Sequence, residues 1–107
     1  MINLNHQDFK QSMDTLPYQE YQINNKKIIW FYDVDNHNAG ELYLNNLFVC
    51  DEYYHVLWNM VDVVGYDDVC VGFHFVDDQS FYFNIFIGLG FIIDINTFEM
   101  ISKIMTK

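Results

Sequence analysis

His55 has nearby carboxylates of the kind that an acid–base pair or a metal site would need. Glu52, His55 and Asp62 fall on one face of a helix that the pattern predicts from Asp51 to Val64, because residues three and four apart project together. No HExxH motif or equivalent surrounds them, and an exposed helix face ordinarily carries such residues. The sequence therefore favours a solvated helix face over a catalytic or metal-binding one.

A second candidate for cation binding is the polar stretch Asp33–Gly40, which must be a loop. Carboxylate and amide oxygens this close together suit a hard cation such as Ca²⁺. An EF-hand loop, however, needs Gly at its sixth position and Glu at its twelfth, and counting from Asp33 these positions hold Asn38 and Leu44. A solvated turn is the favoured interpretation.

Nucleophiles are also poorly placed. Cys50 and Cys70 lie in apolar stretches with no adjacent basic residue to lower the thiol pKa, and with only two cysteines we expect buried, reduced thiols rather than a disulfide. No serine stands in a nucleophile elbow, and the segment 88–90 (GLG) lacks the further residues of a phosphate-binding loop. We predict that the protein is not an enzyme and needs no cofactor.

The charge balance is the strongest compositional signal. Fifteen Asp and Glu residues stand against five Lys and no Arg, giving a net charge of -10. Such a surface repels nucleic acid, because phosphate binding needs cations. The start, MINLNHQDFK, is not a secretory signal, and the longest apolar run, Ile85–Ile93, is nine residues with two glycines inside it, too short to span a bilayer as a helix. We expect a cytoplasmic protein that binds neither nucleic acid nor membrane.

Carboxylates recur in pairs at the predicted ends of helices and strands, several of them beside tyrosines. Eight tyrosines are more than a small core can hold with every hydroxyl satisfied, so some must reach solvent. Tyrosine beside aspartate is typical of protein-binding surfaces, since the ring supplies contact area and the acid supplies charge complementarity. On the predicted helix, the acid–tyrosine groups at its two ends would lie about 20 Å apart, within one interface. The predicted partner-binding residues are Asp33, Asp35, Asp51, Glu52, Tyr53, Tyr54, Tyr66, Asp67, Asp68, Asp77 and Asp78.

The pattern of helices and strands predicts one domain, residues 1–107, of the α+β class. Its mainly antiparallel sheet of about five to six strands carries helices packed on one face. The predicted helices begin at Asn5, Asp51 and Asn96, where each of these residues could act as an N-cap. Strand hairpins are expected at Asn24-Asn25 and at residues 77–80, and a small hairpin or a bulged strand at Asn45-Asn46.

Taken together, these features predict a small acidic inhibitor that binds and neutralises a basic protein partner. An immunity protein that protects a bacterium from a nuclease toxin fits this description, because a nuclease active site is cationic. The residue usage, rich in Asn, Ile and Lys without Arg, suggests a low-GC genome. Three alternatives stay open: a phage-type DNA mimic that inhibits a DNA-binding protein, a small metal- or ligand-binding domain using the His55 face or the Asp33 loop, and a module that forms homo-oligomers through its surplus aromatic residues.

Overall fold

Eight strands and two short helices make up the described part of the chain. The computed structural model describes the backbone of residues 6–33 and 44–105, with side chains from residue 9 onward. In chain order the elements are α1 (His6–Thr15), β1 (Gln19–Ile23), β2 (Lys26–Trp30), β3 (Leu47–Asp51), β4 (Val56–Asn59), α2 (Val61–Val64), β5 (Cys70–Phe75), β6 (Ser80–Ile85), β7 (Leu89–Asp94) and β8 (Met100–Met105).

The strands form two four-stranded antiparallel sheets. The first has the order β1-β2-β3-β4 and the second β5-β6-β7-β8, so within each sheet every strand pairs with its neighbour in sequence. The hairpin between β1 and β2 is confirmed: Ile23 lies opposite Lys26, and Asn24 turns the chain with a φ of 55°, a conformation that Asn tolerates better than most residues. The loop predicted at residues 77–80 is confirmed with a shift of one residue, because the connection between β5 and β6 is 76–79.

The inner faces of the two sheets share one hydrophobic core. Ile28 and Val49 from the first sheet and Phe81 and Phe83 from the second are fully buried in it. The Trp58 ring of β4 meets the rings of Phe81 and Phe83 edge-on, at centroid distances of 5.6 and 5.9 Å. The two sheets are therefore held together by the packing of alternate residues from facing strands.

A second apolar cluster covers the outer face of the first sheet. Phe9 and Leu16 of the α1 region pack on Ile29, Phe31 and Phe48, with the Phe9 and Phe48 ring centroids 4.9 Å apart. The neighbouring residues Ile28 and Ile29 are both fully buried because β2 has the core on one side and α1 on the other. Both faces of this strand are therefore covered.

The predicted α+β class with helices packed on one sheet is wrong, because the chain forms two sheets and α2 is a single turn. In place of the predicted helix from Asp51 to Val64, the chain forms a loop, β4 and α2. Only the predicted end agrees with the structure, since α2 ends at Gly65, which has a φ of 86°. The Asp51 carboxylate does accept backbone N–H groups, from Tyr53 at 2.8 Å and His55 at 2.9 Å. It caps a turn instead of a helix, since the same bonds stabilise either structure.

Two further element predictions are wrong for related reasons. No helix begins at Asn96: the Asp94 carboxylate accepts the N–H groups of Asn96 and Thr97, and the turn leads into β8. The pair Asn45-Asn46 forms no hairpin. Both residues are buried at the entry to β3. The Asn46 side chain bonds backbone groups of Phe31 and Cys70, and the Asn45 side-chain oxygen accepts the Asp68 N–H.

Candidate partner-binding surface

The antiparallel order places four connections at one end of the sandwich. These are the β1–β2 turn (24–25), the β3–β4 loop (52–55), the β5–β6 loop (76–79) and the β7–β8 loop (95–99), which together we call the loop end. Direct contacts join them: the Ile95 N–H donates to the Gln79 carbonyl at 2.9 Å, and the Asn96 amide donates to the Gln79 side chain at 2.6 Å. Lys26 beside the first turn lies opposite Asp51 beside the second loop.

The sequence-predicted binding residues divide between this end and the opposite one. Tyr66, Asp67 and Asp68 precede β5 and Asp33 follows β2, which places them at the opposite end, named the clasp end below. Asp35 lies outside the described residues. The single surface spanned by one helix is not formed, because the helix is absent. The predicted residues at the loop end are Asp51, Glu52, Tyr53, Tyr54, Asp77 and Asp78.

At the clasp end, two buried asparagines join the sheets. Asn46 donates to the carbonyls of Phe31 at 2.9 Å and Cys70 at 3.1 Å, and its side-chain oxygen accepts the Cys70 N–H at 2.7 Å. Asn45 donates to the Asp67 carboxylate at 2.8 Å, and Asp68 is only 7% exposed. The Asp67-Asp68 pair is thus part of the structure that holds the two sheets together.

At the loop end, Asp51 and Asp77 also cap turns, but the second carboxylate of each acidic pair takes no part in the cap. Asp77 accepts the Gln79 N–H at 2.8 Å and the Ser80 hydroxyl at 2.9 Å, and the Gln79 bond first of all lowers the pKa of the Asp77 carboxyl. In the same way, the His55 N–H lowers the pKa of Asp51. Their partners in sequence, Glu52 and Asp78, are exposed and accept none of the hydrogen bonds found within the described residues.

Exposed aromatic rings accompany these free carboxylates. Tyr53 is 68% exposed and follows Glu52 directly, and Phe75 at the end of β5 is 37% exposed. Phe75 is held in place by edge-on contacts with Phe73 at 5.3 Å and Tyr21 at 5.8 Å between centroids. The loop end therefore presents aromatic area beside negative charge, the combination that the sequence predicted for a binding surface.

An open cleft of about 300 Å³ lies between the β1–β2 turn and the β5–β6 loop. Its volume is at the small end of the range for ligand pockets, about 300–1,000 Å³, so it suits a side chain better than a large cofactor. Sequence reasoning found its two aspartates but missed the other residues. Phe75 could have been noticed, because it ends a strand two residues before Asp77, but only the topology brings the turn of β1 against this loop. The lining residues are Gln22, Ile23, Asn24, Phe75, Asp77 and Asp78.

Tyr54 behaves differently from its neighbour Tyr53. Its hydroxyl donates to Glu20 at 2.9 Å and accepts from the Lys27 ammonium at 2.9 Å, and that ammonium also lies 4.1 Å from the ring centroid. The Tyr54 hydrogen bond raises the pKa of Lys27. Tyr54 is thus engaged within the first sheet and has less freedom to meet a partner than the sequence suggested.

The residues considered for enzymatic or metal chemistry do not converge. Within residues 9–33 and 44–105, no group of three His, Cys, Asp or Glu side chains is arranged to hold a metal ion. His55 contacts the Asp51 carboxylate at 3.1 Å. Both cysteines are buried and free, as predicted, and burial raises the pKa of each thiol to about 12. At neutral pH these thiols are protonated and therefore weak nucleophiles.

Comparison with protein-family models, with curated proteins and with solved structures finds no match. Neither of the described helices is long and apolar enough to cross a membrane.

Proposed function

We propose that the protein is a small acidic inhibitor that binds a basic protein partner through its loop end. The observation that carries the proposal is that the loop end presents unengaged carboxylates, Glu52 and Asp78, beside exposed rings, Tyr53 and Phe75. Asp78 and Phe75 also line an open cleft. An interface of this type gains area from the aromatic rings and orientation from the charges.

The cleft is suited to a cationic side chain from the partner. A guanidinium or ammonium group entering it meets the carboxylates of Asp77 and Asp78 and the ring of Phe75. Aromatic faces attract cations, and a planar guanidinium donates two parallel hydrogen bonds to a carboxylate. The side-chain amide of Gln22 can accept a further hydrogen bond from the same group.

A nuclease toxin is the partner class that this chemistry fits best. A nuclease binds phosphates with lysine and arginine side chains, so its active site attracts an anionic inhibitor and associates with it rapidly. The net charge of -10 favours such encounters over the whole surface, and the loop end supplies the local contacts. We therefore propose an immunity protein that neutralises a bacterial nuclease by covering its cationic site.

The proposal predicts a nuclease toxin gene next to the gene for this chain, and association kinetics with the nuclease domain of that toxin test it. Glu52→Gln/Asp78→Asn should slow association roughly ten-fold at low salt and reduce its salt dependence. The control Asp14→Asn/Asp33→Asn removes the same charge from exposed positions away from the loop end, and it should change the rate less than about two-fold.

Growth of cells that co-express the nuclease provides a second readout. The wild-type chain and the control double variant should protect the cells, and the loop-end double variant should protect them less. Equal slowing by both double variants would mean that net charge alone drives association, and no binding by the wild type would overturn the proposal.

A further inference from the structure

The strand β8 forms an open and unusually apolar edge of the second sheet. Among the described residues β8 pairs only with β7, so its outward-facing N–H and C=O groups are available to another strand. Four of its six side chains are exposed and apolar: Met100 at 47%, Ile101 at 59%, Ile104 at 40% and Met105 at 74%.

Two of the other three edge strands are better protected against pairing, and the third, β5, exposes fewer apolar side chains. The exposed residues of β1 are polar, namely Gln19, Glu20 and Gln22. The strand β4 has only four residues and ends at α2. The register of β5 shifts between Cys70 and Gly72. Short strands, charges and bulges are the usual means of blocking edge pairing. The strand β8 also has a register shift, where Met100 and Ser102 pair with Ile93 and Ile92. It differs from β5 in having four exposed apolar side chains instead of two.

We infer that a second copy of this chain pairs with β8 in antiparallel orientation. The only charged residue in the strand is Lys103, and Glu99 precedes it at the opposite end. In antiparallel pairing centred on Ser102, Lys103 of one strand lies opposite Ile101 of the other and Glu99 lies opposite Met105. Glu99 and Lys103 of different copies are then diagonal neighbours, so unlike charges lie near each other. Parallel pairing in register would set Lys103 against Lys103. A basic partner would meet Lys103 and no acid within the strand, so the edge suits a different occupant from the loop end.

Pairing centred on Ser102 places Ile101 opposite Lys103 of the second copy, where the aliphatic stem of the lysine covers the isoleucine. The second sheets of the two copies then form one continuous eight-stranded sheet across a two-fold axis. Because the paired strands run in opposite directions, the two loop ends face away from each other. Glu99 is the one residue of the loop end that takes part in the dimer, so the cleft and the Glu52–Tyr53 loop of each copy stay free. The inference therefore does not depend on the function proposed for them.

Sedimentation velocity of the whole protein from about 1 to 200 μM in 0.15 M salt tests the inference, because the population of a dimer depends on concentration. The wild type should show a monomer–dimer equilibrium, and Ile101→Lys should raise the dissociation constant at least ten-fold by adding a cation opposite Lys103. The matched control Val71→Lys adds the same charge at a position 48% exposed on the other edge strand of the same sheet, and it should dimerise like the wild type.

A charge exchange tests the orientation. Lys103→Glu should weaken the dimer, and adding Glu99→Lys should restore it. Circular dichroism and thermal unfolding establish that each variant is folded. A wild-type protein that stays monomeric at the highest concentration overturns the inference, as does dimerisation that Val71→Lys disrupts and Ile101→Lys leaves intact. Failure of the charge exchange to restore the dimer overturns the antiparallel arrangement.

Discussion

The two ends of the sandwich use the same residue types for opposite purposes. At the clasp end, Asp67 and Asp68 are drawn into a network with Asn45 that joins the sheets. At the loop end, Asp77 caps its own loop and leaves Asp78 exposed. A pair of adjacent acids in a sequence therefore does not indicate a binding surface by itself. What matters is how many carboxylates remain after the backbone N–H groups nearby have been satisfied.

Asn46→Ala at the clasp end should lower the free energy of unfolding more than any other change proposed for the two ends. The change leaves the buried N–H of Cys70 and the carbonyl of Phe31 without their side-chain partner, whereas the Cys70 carbonyl still accepts the Trp30 indole N–H at 3.2 Å. With a cost of about 1–3 kcal/mol for each buried group left unsatisfied, the free energy of unfolding should fall by about 4 kcal/mol. Urea unfolding measures the loss, and Asn25→Ala in the exposed β1–β2 turn should change it by less than about 0.5 kcal/mol.

Cysteine labelling tests whether Asn46→Ala loosens the structure locally, at the clasp end. In the wild type both thiols should react slowly with a thiol reagent in the absence of denaturant, because both are buried and have a raised pKa. Asn46→Ala should accelerate the labelling of Cys70, which it contacts, more than that of Cys50. If the labelling of both thiols accelerates equally, the Asn46 bonds have no local role at the clasp end, and the variant only unfolds as a whole more often.

A smaller difference should separate Asn24 from Asn45, which share a φ of 55°. Asn24→Gly should be nearly neutral, because glycine adopts this conformation freely and the Asn24 side chain makes none of the hydrogen bonds found in the described residues. Asn45→Gly should cost about 1–3 kcal/mol, because it removes the bonds to Asp67 and to the Asp68 N–H. Equal effects in urea unfolding would contradict the division between the two ends.

The smallest expected effect is a dependence of stability on acid pH at the loop end. The pKa of Asp77 is lower in the folded state than its ordinary value of 3.8, so its contribution to stability is present above that value and is lost as the pH falls through the folded-state pKa. Asp77→Asn should therefore reduce the loss of stability below about pH 4. Thermal unfolding between about pH 2 and 6 measures this, and Asp14→Asn on α1 is the control for removing one charge. If stability depends on pH in the same way in Asp77→Asn as in the wild type, the charge of Asp77 does not stabilise its loop.

The local elements were predictable where one short-range signal decided them. The Asn24-Asn25 turn between two β-rich segments and the polar loop 77–80 needed no tertiary information. The segment from Asp51 to Val64 was ambiguous, because Asp51 can cap a helix or a turn with the same bonds. Packing of Trp58 against Phe81 and Phe83 decides in favour of a strand. That long-range contact is invisible in the local pattern.

The binding surface was predictable in composition but not in arrangement. The residues Asp77 and Asp78 were found because acids next to a turn are easily recognised. Gln22 and Asn24 were missed, because their contribution depends on which end of the second sheet meets the first. Asn45 and Asn46 were interpreted as turn residues, since the sequence does not distinguish a buried asparagine from an exposed one.

Because strands that pair are neighbours along the chain within each sheet, the described strands pass from one sheet to the other only once, between Asn59 and Cys70. The exposed residues Gly65 and Tyr66 lie on this crossing. Cleavage there would cut no hydrogen-bonded pair of strands, and the halves would still share a core and the Asn46 bonds. The molecule is thus built as two complementary fragments, each carrying a whole sheet, whose reassembly could report on proximity in the manner of a split protein.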